Sequence, residues 1–118
     1  MVSWNNLDTL SSFKELSNVK PACLTEVMSG DNGAERVKNY SVPMAAGLSY
    51  NYASKQVNEN VLAALEKLAN EAQLADKFKA LYNGEVVNTG EKRLVLHHMT
   101  RGQLGDAVEA DGVDKRTF

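Results

Sequence analysis

The stretch that decides the fold is Tyr82-Asn-Gly-Glu-Val-Val-Asn-Thr-Gly-Glu-Lys-Arg-Leu-Val-Leu-His97. It predicts the end of one helix, a short extended link and the start of another helix. Asn83-Gly84 supplies the left-handed backbone geometry with which many helices end. The β-branched pair Val86-Val87 favours an extended link. Asn88 and Glu91 have the spacing of a capping box, so we expect a second helix to begin at Asn88.

Three nitrogen-rich side chains follow this predicted helix start. Arg93, His97 and Arg101 are four residues apart, which makes their side chains neighbours on a helix. A guanidinium suits a phosphate group because its planar fork matches two phosphate oxygens. Arg93 and His97 are therefore the candidate substrate-binding residues. The simpler interpretations are an ion pair of Arg93 with Glu85 or Glu91 and a packed or hydrogen-bonded helical position for His97.

Other site signatures are missing from the sequence. Adjacent side chains such as His97-His98 point about 100° apart on a helix, and no acidic or cysteine residue lies three or four positions away, so we predict no metal site. Gly84 and Gly90 are too far apart to form a phosphate loop. No nucleophile motif or carboxylate pair at catalytic spacing is present, and we place no catalytic residue on this chain.

The motifs around the opening stretch resemble those of the glucose-6-phosphate isomerase family. Its N-terminal region carries Asn-Gly-Glu, a short link and Glu-x-Arg-x-Val-Leu-His. The matching residues here are Asn83-Gly84-Glu85, Glu91, Arg93 and Val95-Leu96-His97. Upstream, Asn51-Tyr52 and the segment 57–61 resemble the family's Asp-Tyr-Ser-Lys strand and Thr-Glu-Asp-Val helix start. The resemblance covers residues 48–101 well and residues 1–47 only loosely. Taken together in this order and spacing, the motifs are specific to the family.

This resemblance implies a function for a longer parent enzyme. Family members interconvert glucose 6-phosphate and fructose 6-phosphate in glycolysis and gluconeogenesis, and a glutamate moves the proton. They need no metal or organic cofactor and are usually homodimers. Their catalytic residues lie downstream of the matched region. The resemblance therefore implies that residues 1–118 are an N-terminal segment that is inactive alone, whose partners are a sugar phosphate, the remainder of the isomerase chain and a second copy of the parent.

The composition limits the number of domains, the kinds of partner and the cellular location that the chain can have. A chain of 118 residues with 43% hydrophobic and 24% charged residues is typical of one globular domain at most. A net charge of −2 gives no indication of a nucleic-acid or membrane-surface partner. No apolar run approaches the ~20 residues that cross a bilayer. The single Cys23 excludes an internal disulfide and is interpreted as a small buried residue. Together these features favour a cytoplasmic protein.

Hydrophobic periodicity predicts three regions along the chain. Residues 1–47 form a helical arm, with a helix capped at Asn5 or Asn6, a stop at Pro21 and a turn at residues 29–33. Residues 48–101 contain one strand, at 48–52, and a main helical region over 58–82 with a break near Gln73. Residues 102–118 are predicted to be a loop that runs to a truncation point. The predicted class is mainly α with one short strand, an α+β fragment, and by resemblance part of a larger α/β sugar-isomerase fold.

A second interpretation comes from a different functional class. The chain could be a free-standing small helical protein-interaction module without catalysis. Its contact surface would then consist of Trp4, the strand at 48–52 and an apolar stripe over 74–81.

Overall fold

The structure, a computed structural model, describes residues 1–101, 107–110 and 113–115. The helices in chain order are α1 (Ser11–Ser17), α2 (Leu24–Val27), α3 (Gly30–Asn39), α4 (Glu59–Glu71) and α5 (Leu74–Tyr82), with short 3₁₀ turns at Leu7–Thr9, Ala45–Gly47 and His97–Arg101. The strands are β1 (Ser41–Pro43), β2 (Ser49–Asn51), β3 (Val86–Asn88), β4 (Arg93–Leu94), β5 (Glu109–Ala110) and β6 (Val113–Asp114). They pair as three two-stranded antiparallel sheets, β1–β2, β3–β4 and β5–β6. The prediction of a mainly helical chain is confirmed.

The longest helical region matches its prediction. Asn58 caps α4, since its Oδ1 accepts a hydrogen bond from the Val61 N–H at 3.0 Å. Helix α4 ends at Glu71, and Gln73 then adopts a left-handed backbone with φ of 54° before α5 begins. The predicted break near Gln73 is therefore confirmed. A left-handed glutamine is uncommon, because its Cβ crowds the backbone there.

The end of α5 forms the expected glycine stop. Gly84 has φ of 74°, its N–H donates to the Leu81 carbonyl at 3.2 Å, and the Glu85 N–H donates to the Ala80 carbonyl at 2.9 Å. These two bonds are the pair that defines a Schellman motif. A Cβ at position 84 would also collide with the buried side chain of Val108. Both the backbone geometry and the packing therefore require glycine here.

The predicted second helix from Asn88 is wrong. Val86–Asn88 pairs instead with Arg93–Leu94, and the only helical residues that follow in the described chain are the 3₁₀ turn His97–Arg101. Asn88 Oδ1 does accept from the Glu91 N–H at 3.2 Å, and Asn88 Nδ2 donates to Glu91 Oε2 at 3.2 Å. An asparagine side chain makes this bond in a turn as readily as at a helix start, so the spacing could not distinguish the two.

The prediction of a single strand is also wrong. The predicted strand at 48–52 exists as Ser49–Asn51, and its partner is Ser41–Pro43. Ala46 and Gly47, with φ of 59° and 73°, reverse the chain between them. The sequence Ala-Ala-Gly lacks an Asn-Gly turn signal, and Pro43 disfavours a strand, which explains why this partner was not predicted.

Two further segments differ from the sequence-based prediction. Helix α3 begins at Gly30, whereas the sequence predicted a turn at residues 29–33. Cys23, which was predicted to be buried, is exposed. Within residues 102–118, Glu109–Ala110 pairs with Val113–Asp114, so this part is not loop throughout. The rest of the predicted loop, including the expected truncation point, lies outside the described residues.

The chain divides into two compact units. One comprises Met1–Phe13 with the described part of Lys67–Phe118, and the other comprises Lys14–Glu66. Among the described residues, the buried hydrophobic side chains are mostly small: Ala22, Ala53, Ala72, Ala80, Met99 and Val108. Alanine buries little apolar surface, so each unit needs other sources of stability. No helix in the described part of the chain is long and apolar enough to cross a bilayer.

Arg36 is a central residue of the unit Lys14–Glu66. Its side chain is buried, and it donates from Nε to the Ala53 carbonyl at 2.7 Å and from Nη2 to the Lys55 and Val57 carbonyls at 2.9 and 2.8 Å. The guanidinium also lies over the Tyr40 ring, with Cζ 4.1 Å from the ring centroid. Arg36 therefore fixes the loop that connects β2 to α4.

We expect Arg36→Met to lower the free energy of unfolding by about 2–4 kcal/mol, because it leaves three carbonyl groups without their donor. Methionine keeps much of the apolar stem, so the loss reports chiefly on the hydrogen bonds. Urea unfolding measures it, with Lys38→Met on the exposed surface of the same helix as control. Equal stability of the two variants would contradict a structural role for Arg36.

Candidate functional site

Arg93 lies on the surface of the hairpin formed by β3 and β4. Its side chain is 76% exposed, and Nη1 is 3.8 Å from Glu91 Oε2, a carboxylate that is itself 63% exposed. Glu91 is one of the two ion-pair partners expected from the sequence. An exposed pair at this distance contributes little to stability, because water screens both charges. Arg93 therefore remains accessible to another anionic group.

His97 does not share a helical surface with Arg93, contrary to the sequence-based expectation. Arg93 is on a strand, whereas His97 and Arg101 are the two ends of a 3₁₀ turn. His97 is exposed, and its carbonyl accepts a hydrogen bond from Thr100 Oγ1 at 2.8 Å. The predicted row of three neighbouring side chains is thus not formed, because it required one continuous helix.

The neighbouring His98 is the better-packed histidine. Its ring stacks on Tyr82 with centroids 5.0 Å apart and an interplanar angle of 27°. Its Nε2 is buried and has no hydrogen-bond partner among the described residues. The sequence motif drew attention to His97 because His97 completes the Val-Leu-His pattern, whereas the packing partner of His98 lies sixteen positions upstream and gives no local signal.

Glu71 is the titratable side chain with the most unusual environment. Its Oε1 accepts hydrogen bonds from the N–H and Oγ of Ser11 at 3.3 and 3.1 Å, and its Oε2 accepts from the Ser12 N–H at 2.8 Å. The carboxylate at the end of α4 thereby caps the start of α1. A negative charge is favourable there, because the first N–H groups of a helix have no partner within it.

These contacts lower the pKa of Glu71. The Ser12 hydroxyl is the largest cause, followed by the Ser12 N–H and the contacts of Ser11, and together they lower the pKa from 4.5 to about 2. Ser12 Oγ does not meet ordinary hydrogen-bond geometry with any described residue, so the bond from its N–H is the firmer one. Both carboxylate oxygens are occupied by donors. Glu71 is therefore a structural anion rather than a general base, which would need a free oxygen and a pKa nearer 7.

Gln73 extends this attachment of the N-terminal segment. Its Oε1 accepts a hydrogen bond from the Ser3 N–H at 2.8 Å. Nearby, Trp4 borders an apolar hollow on α5, and Lys77 Nζ lies 5.5 Å from the centroid of the Trp4 ring. Glu71 and Gln73 thus bind the N-terminal part of the chain at two places, the start of α1 and Ser3.

In the described part of the chain, the cavities and clusters outside these contacts show no built catalytic centre. The described residues contain no group of histidine, cysteine or carboxylate side chains that could hold a metal ion. A groove of about 510 Å³ lies in the unit Lys14–Glu66, and its lining residues are Val42, Tyr50, Tyr52, Lys55, Val57, Leu62 and Leu65. It is apolar, with one lysine as its charged member. The lining contains no histidine and no carboxylate, which are the side chains that most often transfer protons in active sites.

Comparison with known proteins identifies the family. Residues 51–117 match the family model described as phosphoglucose isomerase, which is more than half of the chain. The chain belongs to the phosphoglucose isomerase family.

Several curated relatives support this assignment. A glucose-6-phosphate isomerase from Treponema denticola is 45% identical over 125 aligned positions, covering 99% of this chain and 23% of the relative. The corresponding protein of Borreliella afzelii is 42% identical, covering 100% of this chain and 22% of its own length. That of Treponema pallidum strain Nichols is 46% identical over 85% of this chain and 19% of the relative.

The matches cover nearly all of this chain but only a small part of each relative. The chain spans about a fifth of the length of these relatives. The matches to the Treponema denticola and Borreliella afzelii proteins also include residues 1–47, which resembled the family only loosely by motif.

Sequence reasoning missed two charged side chains, Arg36 and Glu71, each of which makes three hydrogen bonds. Arg36 lies in the predicted helical arm and Glu71 in the predicted helical region over 58–82, and neither was a candidate site residue. Each bonds to backbone groups that are distant in sequence, by 17 to 21 residues for Arg36 and by 59 or 60 for Glu71. The one signal available was the position of Glu71 immediately before the predicted break near Gln73.

We expect Glu71 to make stability depend on acid pH. Its folded pKa is about 2 and its ordinary value is 4.5, so its contribution is fully present above pH 4.5 and is lost as pH falls toward 2. Urea unfolding at pH 7, 5, 3.5 and 2.5 measures this loss. The decline should be steeper for the unmodified chain than for Glu71→Gln, which cannot ionise. Glu66→Gln, on the same helix, should behave as the unmodified chain does, and a parallel decline in all three proteins would contradict the prediction.

We expect Arg93→Ala to lower the free energy of unfolding of this chain by less than about 1 kcal/mol, because the ion pair with Glu91 is exposed. Urea unfolding at pH 7 measures the change, and Arg101→Ala, an exposed arginine of the adjacent 3₁₀ turn, controls for the lost charge. A loss above about 2 kcal/mol would mean that Arg93 makes a buried contact that this hairpin does not contain.

Proposed function

We propose that this chain is the N-terminal segment of a glucose-6-phosphate isomerase, an aldose–ketose isomerase that interconverts glucose 6-phosphate and fructose 6-phosphate. The observation that carries the proposal is the family match over residues 51–117, together with relatives that match nearly the whole chain. In this proposal the parent enzyme is cytoplasmic, acts in glycolysis and gluconeogenesis without a cofactor, and is a homodimer.

The proposed role of the segment is structural. The carboxylate of Glu71, whose pKa is lowered, has both oxygens engaged at the start of α1, and the described residues contain no metal-binding cluster. The proton-transferring groups would then belong to the remainder of the isomerase chain. Arg93 and His97 are both exposed in this segment, and we propose that they contact that remainder or the sugar phosphate rather than act as catalytic residues.

An interaction module without catalysis is the alternative. Leu74 and Phe78 are 60% and 63% exposed on α5, which favours a surface that contacts another polypeptide. An enzyme segment considered without the rest of its chain would expose the same residues. The exposure therefore fits both functions, and the family match favours the isomerase.

A chimera tests the proposal. Residues 1–118 replace the matching region of the Treponema denticola isomerase, and a coupled assay follows the conversion of fructose 6-phosphate to glucose 6-phosphate. We expect the chimera to turn over substrate, since the segment is 45% identical to the region that it replaces. We expect residues 1–118 alone to give no rate above the blank.

Two further proteins make the result decisive. The unmodified Treponema denticola enzyme sets the full rate, and the same enzyme without the matching region shows whether the segment is needed at all. A folded chimera with no turnover would overturn the isomerase assignment and favour the interaction module. Turnover by residues 1–118 alone would contradict the structural role.

A further inference from the structure

The hairpin of β1 and β2 has one apolar surface. Val42 pairs with Tyr50 across the two strands, and the Met44 N–H donates to the Leu48 carbonyl at 2.8 Å two residues closer to the turn. Side chains two apart on a strand, and those directly opposite across a pair, point to the same side. Val42, Met44, Leu48 and Tyr50 therefore share one side of the hairpin, which we call the hairpin face.

The hairpin face is open to solvent in this chain. Its four side chains are 48%, 56%, 64% and 50% exposed, in the order given above. It continues into the groove of about 510 Å³, where Val42 and Tyr50 adjoin Leu62 and Leu65 of α4. Single exposed hydrophobic side chains are common on protein surfaces. Here several large ones are contiguous, and a contiguous apolar surface is typical of an interaction site.

The hairpin carries no charged side chain that would keep other polypeptides from this surface. Residues 41–52 contain no aspartate, glutamate, lysine or arginine. Proteins usually place charges on exposed strand edges to prevent unwanted pairing. A two-stranded hairpin is also only marginally stable in water unless it packs against another layer. The missing charges and the short strands both indicate a hairpin that is covered in the working protein.

We propose that an apolar segment from the remainder of the isomerase chain covers the hairpin face and its groove. This inference rests on the proposed function. The chain corresponds to 23% of the Treponema denticola relative and 22% of the Borreliella afzelii relative, so most of a full-length family member has no counterpart in it. In the proposed full-length enzyme, that missing part is large and covalently linked to this chain. It can therefore supply the apolar segment that covers the hairpin face. A second copy of this chain is the rival occupant.

The test substitutes the two most exposed members of the face. The double variant Met44→Gln and Leu48→Gln is made in residues 1–118 and in the chimera with the Treponema denticola isomerase. The hairpin backbone bond between these residues does not depend on their side chains. In the isolated chain we expect no change in Tm, because both side chains already face water. In the chimera we expect Tm to fall by about 3 °C or more, because buried apolar area is lost.

The control lies on the opposite side of the same hairpin. Ser49 pairs with Pro43 and is exposed, so Ser49→Gln should leave Tm unchanged in both proteins. Equal Tm values for the double variant and the control in the chimera would overturn the proposal. Failure of the double variant to fold in the chimera, where the control folds, would support it. Tm tests whether the hairpin face is covered, whereas turnover tests the isomerase proposal. The failure of one proposal can therefore be distinguished from the failure of the other.

Two more measurements identify the occupant. Hydrogen exchange over residues 41–51 should be slower in the unmodified chimera than in the isolated chain, and equal exchange would count against the proposal. Sedimentation of the isolated chain tests the rival. A stable dimer that the double variant converts to monomer would assign the hairpin face to a second copy and overturn the proposal, whereas a monomer would support it.

Discussion

Bonds from a charged side chain to backbone groups hold each unit together, because the buried hydrophobic residues of the described chain are mostly alanine. In the unit Lys14–Glu66 the guanidinium of Arg36 binds three carbonyls of the loop before α4. In the other unit the carboxylate of Glu71 accepts bonds from Ser11 and Ser12 at the start of α1. Hydrogen bonds between a charged side chain and a backbone group are stronger and more directional than hydrogen bonds between two neutral groups. They can therefore fix loop and helix geometry where little apolar area is available.

Local signals in the sequence predicted the elements that depend on local physics. The start of the helical region near residue 58, the break near Gln73 and the glycine stop at Asn83-Gly84 all depend on residues within one helical turn. The strand partner Ser41–Pro43 and the hairpin after Asn88 depend on pairing between segments, which propensity alone does not determine. Asn88 and Glu91 even form the expected hydrogen bonds, within a turn rather than at a helix start.

The candidate site was less predictable than the fold for the same reason. Arg93 and His97 were chosen because they belong to a family motif and would be neighbours on a helix, and the hairpin removes that helix. Arg36, Glu71 and His98 draw their importance from partners elsewhere in the chain, namely the loop of residues 53–57, the start of α1 and the ring of Tyr82. Apart from the position of Glu71 just before the break near Gln73, the single sequence carries no mark of such partners. The family assignment could be reached from motifs because a linked set of short patterns is itself a local signal.

The contact between Gly84 and Val108 has a consequence for how this region can vary. A side chain at position 84 meets two separate obstacles, the left-handed backbone and the collision with Val108. A smaller residue at position 108 would remove the collision but leave the backbone obstacle intact. Any replacement of Gly84 would therefore need a change in packing at position 108, and it would still strain the chain reversal after α5. A side chain at position 84 and a branched side chain at position 108 should exclude each other.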